Sequence, residues 1–354
     1  MGNVHDDTRR TIIKGAAVLG AATLARGVSL ASQQSLPPSA SGQPANSGEL
    51  VPHRPLGKTG ITVSAIALGG YHLGSTKSQQ DANEIVAKAM DAGVIFFDNA
   101  WDYHQGHSET VLGNALKGKR DRAVVMTKVC THGRSKDVAM QQLEQSLRRL
   151  QTDHLDLWQI HEVIYENDPE LIFRTGGAAE ALLLAKQQGK VRAIGFTGHK
   201  DPSIHLRMLA HDFPFDTVQM PLNCLDASFR SFEQRVLPEA QKRGVAVLGM
   251  KSMGGSGEII THGVVTPEEA LKYAMSLPVA STISGVDSMD VLEQNLAIAR
   301  GFQPLSSEQM QNLRNQAKTF ASDGRFELFK TTKKYDGDVG RLQHHFPSAD
   351  ELPA

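Results

Sequence analysis

Short, continuous apolar runs recur along the chain from residue 65, and each is followed by a stretch with helical spacing. The runs 65–68, 94–97, 123–127, 155–160, 191–196, 217–220, 245–250 and 280–284 read as strands buried on both faces, because they do not alternate with polar residues. Helical periodicity marks 79–92, 108–116, 137–150, 176–188, 202–211, 231–243, 266–276 and 288–299. Thr266-Pro267-Glu268-Glu269 combines an N-cap, a first-turn proline and a capping-box acid. In 137–150, Val138, Leu143, Leu147 and Leu150 are expected on one buried face.

Eight strand–helix pairs within about 250 residues are the count of an α/β (β/α)8 barrel. An open doubly wound sheet would place G-x-G-x-x-G after the first strand. Gly69-Gly70-Tyr71-His72-Leu73-Gly74 stands there instead, with different spacing. Residues 56–61 read as a hairpin turn before the barrel, positioned to plug its bottom. A last helix is expected at 306–320. The tail 321–354 holds Phe326, Phe329 and Tyr335, which call for a surface to pack on.

The start of the chain has a different character. Arg9-Arg10-Thr11-Ile12-Ile13-Lys14 precedes a weakly apolar run, 15–24, and the small-residue end Ser29-Leu30-Ala31. The run is shorter than the roughly 20 residues of a membrane span. Residues 1–31 therefore resemble a twin-arginine export signal, which implies the twin-arginine machinery as a partner and a periplasmic or extracytoplasmic location. Residues 32–50, rich in Ser, Gln and Pro, read as a linker. The barrel is assigned 51–320 and the tail 321–354. The net charge of −1 supplies no global basic field for nucleic acid. Two cysteines make no disulfide framework, although Cys130 and Cys224 could form one bridge.

Barrels carry chemistry where strands end. Asp98, Lys128 and His161 close the second, third and fourth strands, and Tyr103 lies on a loop above them. A free phenol titrates near about 10. A neighbouring ammonium stabilises its phenolate, a carboxylate keeps that ammonium in place, and an imidazole can orient a carbonyl oxygen. Together the four residues suit proton delivery to a carbonyl that receives hydride from elsewhere.

The stretches Phe97-Asp98-Asn99-Ala100-Trp101-Asp102-Tyr103, Arg122-Ala123-Val124-Val125-Met126-Thr127-Lys128 and Leu155-Asp156-Leu157-Trp158-Gln159-Ile160-His161 resemble the aldo-keto reductase family. The likeness runs over about residues 50–320. It implies a barrel that binds a nicotinamide dinucleotide, NADP(H) or NAD(H), and acts on a small carbonyl or alcohol. By that resemblance Tyr103 is the general acid, Lys128 tunes it, Asp98 pairs with Lys128, and His161 orients the carbonyl. The Ser-Asn pair that holds the nicotinamide carboxamide in the family is replaced by Thr197-Gly198-His199, while the following glutamine is present as Gln219. Met250 stands where an aromatic stacks on the nicotinamide. Lys251, Gly254 and Gly255 face the phosphates, and Asn295 matches the adenine contact. The places of the family's phosphate-clamping lysine and arginine hold Gly285 and Val291. With Asp287 set to accept from ribose hydroxyls, the resemblance implies weak or reversed preference for NADP(H).

Three alternatives are distinct in kind. A metal-dependent hydrolase would use His104, His107, His132, His161 and His199. A Schiff-base lyase would use Lys251 or Lys128. A third reading is a protein that binds cofactor without turnover. Trp101, Tyr71, His104, His132, Glu162 and Phe229 are candidate substrate liners, and the polar 161–168 loop favours a polar or sugar-like carbonyl.

Overall fold

The computed structural model describes residues 49–130 and 134–352; the export signal, most of the linker and His132 lie outside the described residues. Strands β1 (His53–Pro55) and β2 (Thr62–Ser64) pair antiparallel. The turn between them is closed by the Leu56 N–H donating to the Ile61 carbonyl at 2.8 Å. Eight parallel strands follow: β3 (Ile66–Gly69), β4 (Phe96–Asp98), β5 (Val124–Val129), β6 (Leu155–Ile160), β7 (Val191–Thr197), β8 (Thr217–Pro221), β9 (Ala246–Met250) and β10 (Ser281–Gly285). They close into a barrel, β10 pairing with β3. Each expected strand is present, with its ends displaced by at most two residues.

The helices alternate with the strands as their spacing requires: α1 (Gln79–Asp91), α2 (His107–Ala115), α3 (Lys136–Leu150), α4 (Ala178–Gln187), α5 (Pro202–Ala210), α6 (Phe232–Arg243), α7 (Pro267–Ser276), α8 (Met289–Ala299) and α9 (Ser307–Ala321). The capping box at Thr266 and Glu269 is formed, with proline in the first turn of α7. In α3 the buried face is Ala139, Gln142, Leu143, Ser146, Leu147 and Leu150. Val138 is 38% exposed, one position off that face, contrary to the expectation. A short helix, Asp168–Phe173, had no expected counterpart, because its sequence reads as a charged loop.

The barrel interior is filled by Ala67, Phe96, Met126, Leu157, Ala193, Leu248 and Ile283, and the hairpin residues Leu56, Ile61 and Val63 belong to the same cluster. The hairpin thus seals the end where the strands begin, and the opposite end is left for chemistry. Leu56 is wholly buried, which favours the plug by about 1.5–3 kcal/mol. A larger cluster lies between the strands and the helices. Cys130 and Cys224 are buried and not bridged to each other. Among the described residues no helix is long and apolar enough to cross a membrane.

Candidate active site

The parallel register sets strand ends side by side around one mouth. Gly69 pairs with Asp98, Lys128 with Gln159, and Thr197 with Gln219. Asp98, Lys128 and His161 therefore converge, as expected. The Lys128 ammonium donates to Asp98 Oδ1, to the Asn99 carbonyl at 2.7 Å and to the Tyr103 hydroxyl at 3.4 Å. These three acceptors match the three protons of an ammonium. Lys128 is 1% exposed and Asp98 3%. Burial pushes the Asp98 carboxyl up, and Lys128 pulls it back down.

Tyr103 begins a tight turn in which His104 and Gln105 have φ of 49° and 55° and Gly106 has φ of 89°. The φ of 89° at Gly106 lies in the left-handed region that favours glycine, and the Arg149 guanidinium packs directly against it. Arg149 in turn donates to the Trp101 carbonyl and to Glu109. Left-handed non-glycine residues of this kind are held only where surrounding contacts impose them. Burial first, and then the charges of Asp98, Asp102 and Glu162, hold the Tyr103 phenol well above its usual value. The phenol therefore keeps its proton at neutral pH, and the ammonium is in place to stabilise phenolate as it forms.

His161 stands at the end of β6, its ring edge-on to Tyr103 with centroids 5.5 Å apart. Tyr71 packs against Tyr103 and stacks on His104. Trp101, Asp102, Gln105, Arg149 and Val339 line a cavity of about 190 Å3 beside these residues. Of the expected liners, Trp101 lines this cavity, and Tyr71 and His104 stack on each other beside Tyr103. Glu162 instead accepts the Gly337 N–H of the tail. Phe229 supports the tail, its carbonyl accepting from Lys330 at 2.8 Å.

On the cofactor side, Thr197 and Gln219 are buried at adjacent strand ends. Gln219 Nε2 lies 3.6 Å from the Met250 sulfur, and Gln219 Oε1 has no partner. A buried amide oxygen without a partner fits a site for an amide-bearing ligand. Lys251 faces the Phe329 and Tyr335 rings at 5.2 and 5.1 Å, and burial lowers it to about 8. Gly254 and Gly255 lie under Phe326, Phe329 and Tyr335. The tail therefore covers the expected phosphate loop, and Ser256 hydrogen-bonds Tyr335. Asn295 is buried beneath the rim, donating to Ser284 at 3.1 Å, while Asp287 is half-buried at the β10 end.

Among the described residues the mouth histidines do not converge. His104 contacts the Tyr71 carbonyl, His161 faces Asp102, and His199 lies 3.9 Å from Asp336. The only close His/Cys/Asp/Glu grouping among the described residues is Asp102, Cys130 and His161, with a single histidine. Sequence reasoning gave no role to Asp102, although it lies inside the quoted motif, nor to Arg134 and Lys330, whose partners are remote in the chain.

The profile described as "Aldo/keto reductase family" matches residues 65–258. The chain is 31% identical over 263 residues to 6-dehydroglucose reductase of Novosphingobium aromaticivorans, covering 70% of this chain and 78% of that protein. It is 27% identical to L-galactose dehydrogenase of Arabidopsis thaliana, covering 72% and 90%. The match to Aldo-keto reductase YhdN of Bacillus subtilis, 31% identical, spans 54% of this chain and 58% of that one. A holo-form aldo-keto reductase from Bacillus halodurans superposes with a TM-score of 0.65 at 25% identity, covering 78% of this chain and 99% of that one.

Proposed function

The chain belongs to the aldo/keto reductase family, and from this premise we propose that it is an NAD(P)H-dependent oxidoreductase reducing an aldehyde or ketone to an alcohol, or running the reverse. The observation that carries this reading is Lys128 held between Asp98 and Tyr103, with His161 beside them. Tyr103 gives its proton to the carbonyl oxygen, Lys128 stabilises the phenolate left behind, Asp98 keeps Lys128 in place, and His161 orients the oxygen. The nicotinamide, when bound, supplies or accepts the hydride. Thr197 and Gln219 would hold its carboxamide, with Met250 against the ring; Lys251, Gly254 and Gly255 would meet the phosphates once Phe329 and Tyr335, which cover them, move aside. Asp287 would take the ribose and Asn295 the adenine.

A polar, sugar-like substrate is favoured by Asp102, His104 and Gln105 at the mouth, and by two relatives whose names refer to sugars. Loss of absorbance from reduced nicotinamide with sugar aldehydes and ketones, but not with aliphatic ones, is the expected result. The reverse preference rejects this substrate class.

Weak or reversed preference for NADP(H) is supported at β10. A side chain on Gly285 would meet the His72 ring at 2.2 Å, which disfavours a lysine there. Arg192 begins β7 at the far end of the barrel and pairs with Asp156 at 2.6 Å, so it supplies no substitute clamp. Dissociation constants for NADH and NADPH within tenfold of each other are expected; NADPH bound a hundredfold tighter would overturn this reading.

Export through the twin-arginine route to the periplasm is supported by Arg9 and Arg10 ahead of the short apolar run. A variant with Arg9→Lys and Arg10→Lys should retain precursor in the cytoplasm. Mature protein outside the inner membrane in that variant would count against the route.

A further inference from the structure

We propose that Asp102, Cys130 and His161 form a binding site for a thiophilic divalent cation, zinc above all, whose occupation blocks the substrate side of the mouth. The blocking effect rests on the proposed reductase reading; the site itself does not. One ligand atom from each of the three residues lies within 4.8 Å of the other two. Asp102 Oδ1 is 2.9 Å from His161 Nδ1. Zinc bonds carboxylate, imidazole and thiolate at about 2.0–2.3 Å, which sets tetrahedral ligands about 3.3–3.8 Å apart. The pair at 2.9 Å and the outer limit of 4.8 Å lie on either side of that range, so small side-chain rotations close a three-ligand set.

The three residues follow the neighbouring strands β4, β5 and β6, and each stretch of main chain is pinned. Buried Gln142 of α3 grips Cys130 twice, accepting from its N–H at 2.9 Å and donating to its carbonyl at 3.1 Å. Trp101, next to Asp102, donates its N–H to the Lys128 carbonyl at 3.0 Å and its indole to Gln145 at 2.6 Å. The His161 N–H donates to the Val129 carbonyl at 2.9 Å. The wholly buried Arg134 donates to the His161 carbonyl at 2.8 Å, the Glu162 carbonyl at 2.7 Å and Asp168 at 2.9 Å. Ligands positioned in this way lose little freedom when a cation arrives.

The charges balance as well. A carboxylate, a thiolate and a neutral imidazole carry two negative charges, which a dication cancels in a buried place. Burial first, and then the charge of Asp102, hold the Cys130 thiol well above its usual value. Binding therefore breaks the S–H bond as the sulfur–metal bond forms, and the proton leaves to solvent. Thiolate and imidazole favour zinc over magnesium or calcium. His161 ligates through Nδ1 and keeps its Nε2–H. Three protein ligands leave a fourth position. Asp102 also lines the 190 Å3 cavity with Trp101, Gln105, Arg149 and Val339, so that position opens onto the space beside Tyr103. A hydrated cation there excludes the substrate and leaves Thr197 and Gln219, on the cofactor side, clear.

The test uses the full chain, reduced, stripped of metal by a chelator and titrated with cobalt(II). One equivalent should bind with a sulfur-to-cobalt charge-transfer band, and zinc should displace it. Cys130→Ala should lose the band and Cys224→Ala should keep it. Asp102→Asn should weaken cobalt binding by about 10- to 100-fold. No band in wild type, a band that persists in Cys130→Ala, or one lost in Cys224→Ala would each overturn the site. Should Cys130→Ala fail to fold by circular dichroism, Asp102→Asn decides in its place, and cobalt affinity unchanged within twofold overturns the site. Zinc at ten times its dissociation constant should raise KM for the carbonyl about tenfold, with kcat and the dinucleotide dissociation constant unchanged within twofold. Bound zinc that leaves KM unmoved overturns the blocking effect. A wild type with no turnover of any carbonyl or alcohol would instead reject the proposed function, and the cobalt band would still decide the site.

Discussion

At the scale of single residues, the charge at the centre of the mouth is kept by Lys128. Its ammonium is buried, and it is the counter-charge to the equally buried Asp98. Removing one member of such a pair costs more than removing both, because the survivor stays desolvated. Lys128→Met is therefore expected to lower unfolding free energy by about 3–5 kcal/mol, read from urea denaturation. Adding Asp98→Asn should restore part of the loss without restoring activity. A double variant no more stable than Lys128→Met would refute the pairing energetics. Asp98, Lys128 and His161 were legible because each sits at the end of a strand whose apolar run announces it, and Tyr103 because it follows Asp98 in the loop after β4. The fixation of His161 was not, since Arg134 reaches it across 27 positions and leaves no periodic trace.

At the scale of elements, the tail is the part least written in local pattern. Phe326, Phe329 and Tyr335 called for a packing surface, but nothing in their spacing identified the Gly254–Gly255 loop as that surface. The anchor is a buried charge cluster. Lys330 donates to Asp226 at 2.6 Å and to Glu327 at 2.9 Å, with all three side chains essentially unexposed. Burial first, opposed by Lys330 and reinforced by the charge of Asp226, leaves the Glu327 carboxyl pushed up to about 7. Its folded value exceeds its ordinary one, so the folded state binds more protons between about pH 4.5 and 7. This contribution is fully present below that window and is lost as pH rises through 7. Limited proteolysis after residue 325 should therefore be slower at pH 5 than at pH 8. Lys330→Met should expose the tail to cleavage at both pH values. A tail equally resistant in the variant would exclude the cluster as its anchor. The strands and long helices, by contrast, were read within a residue or two, because burial on one or two faces imposes a period that sequence displays directly.

At the scale of the whole molecule, acid sensitivity follows from two buried histidines. Burial lowers His199 to about 4 and His205 to about 3. The His205 ring packs against Phe196 and Phe232, and its contact with the Gln219 backbone offsets only part of the effect of burial. Both folded values lie below the ordinary one, so the unfolded chain binds more protons as pH falls below about 6.5. Stability is lost downward through that window, by about 1.4 kcal/mol per pH unit for each histidine. His205→Leu should recover about 2 kcal/mol at pH 5 relative to its effect at pH 7.5, measured by denaturation at both. An equal effect at the two pH values would show that His205 does not carry the acid response. The barrel, its plug and its open mouth follow from the alternation of strands and helices, whereas the covering of that mouth by the tail follows from contacts between residues about a hundred positions apart.

The most direct measurement of the central claim is transfer of deuteride. Nicotinamide dinucleotide deuterated at its transferring carbon is mixed with the protein and a sugar aldehyde, and the product alcohol is analysed by mass spectrometry. The account predicts deuterium on the new carbinol carbon with wild type. Tyr103→Phe should slow that transfer by about 10²–10⁴-fold, with dinucleotide binding unchanged within twofold. Absence of transfer to any carbonyl by wild type, or transfer by the phenylalanine variant at the wild-type rate, would contradict it.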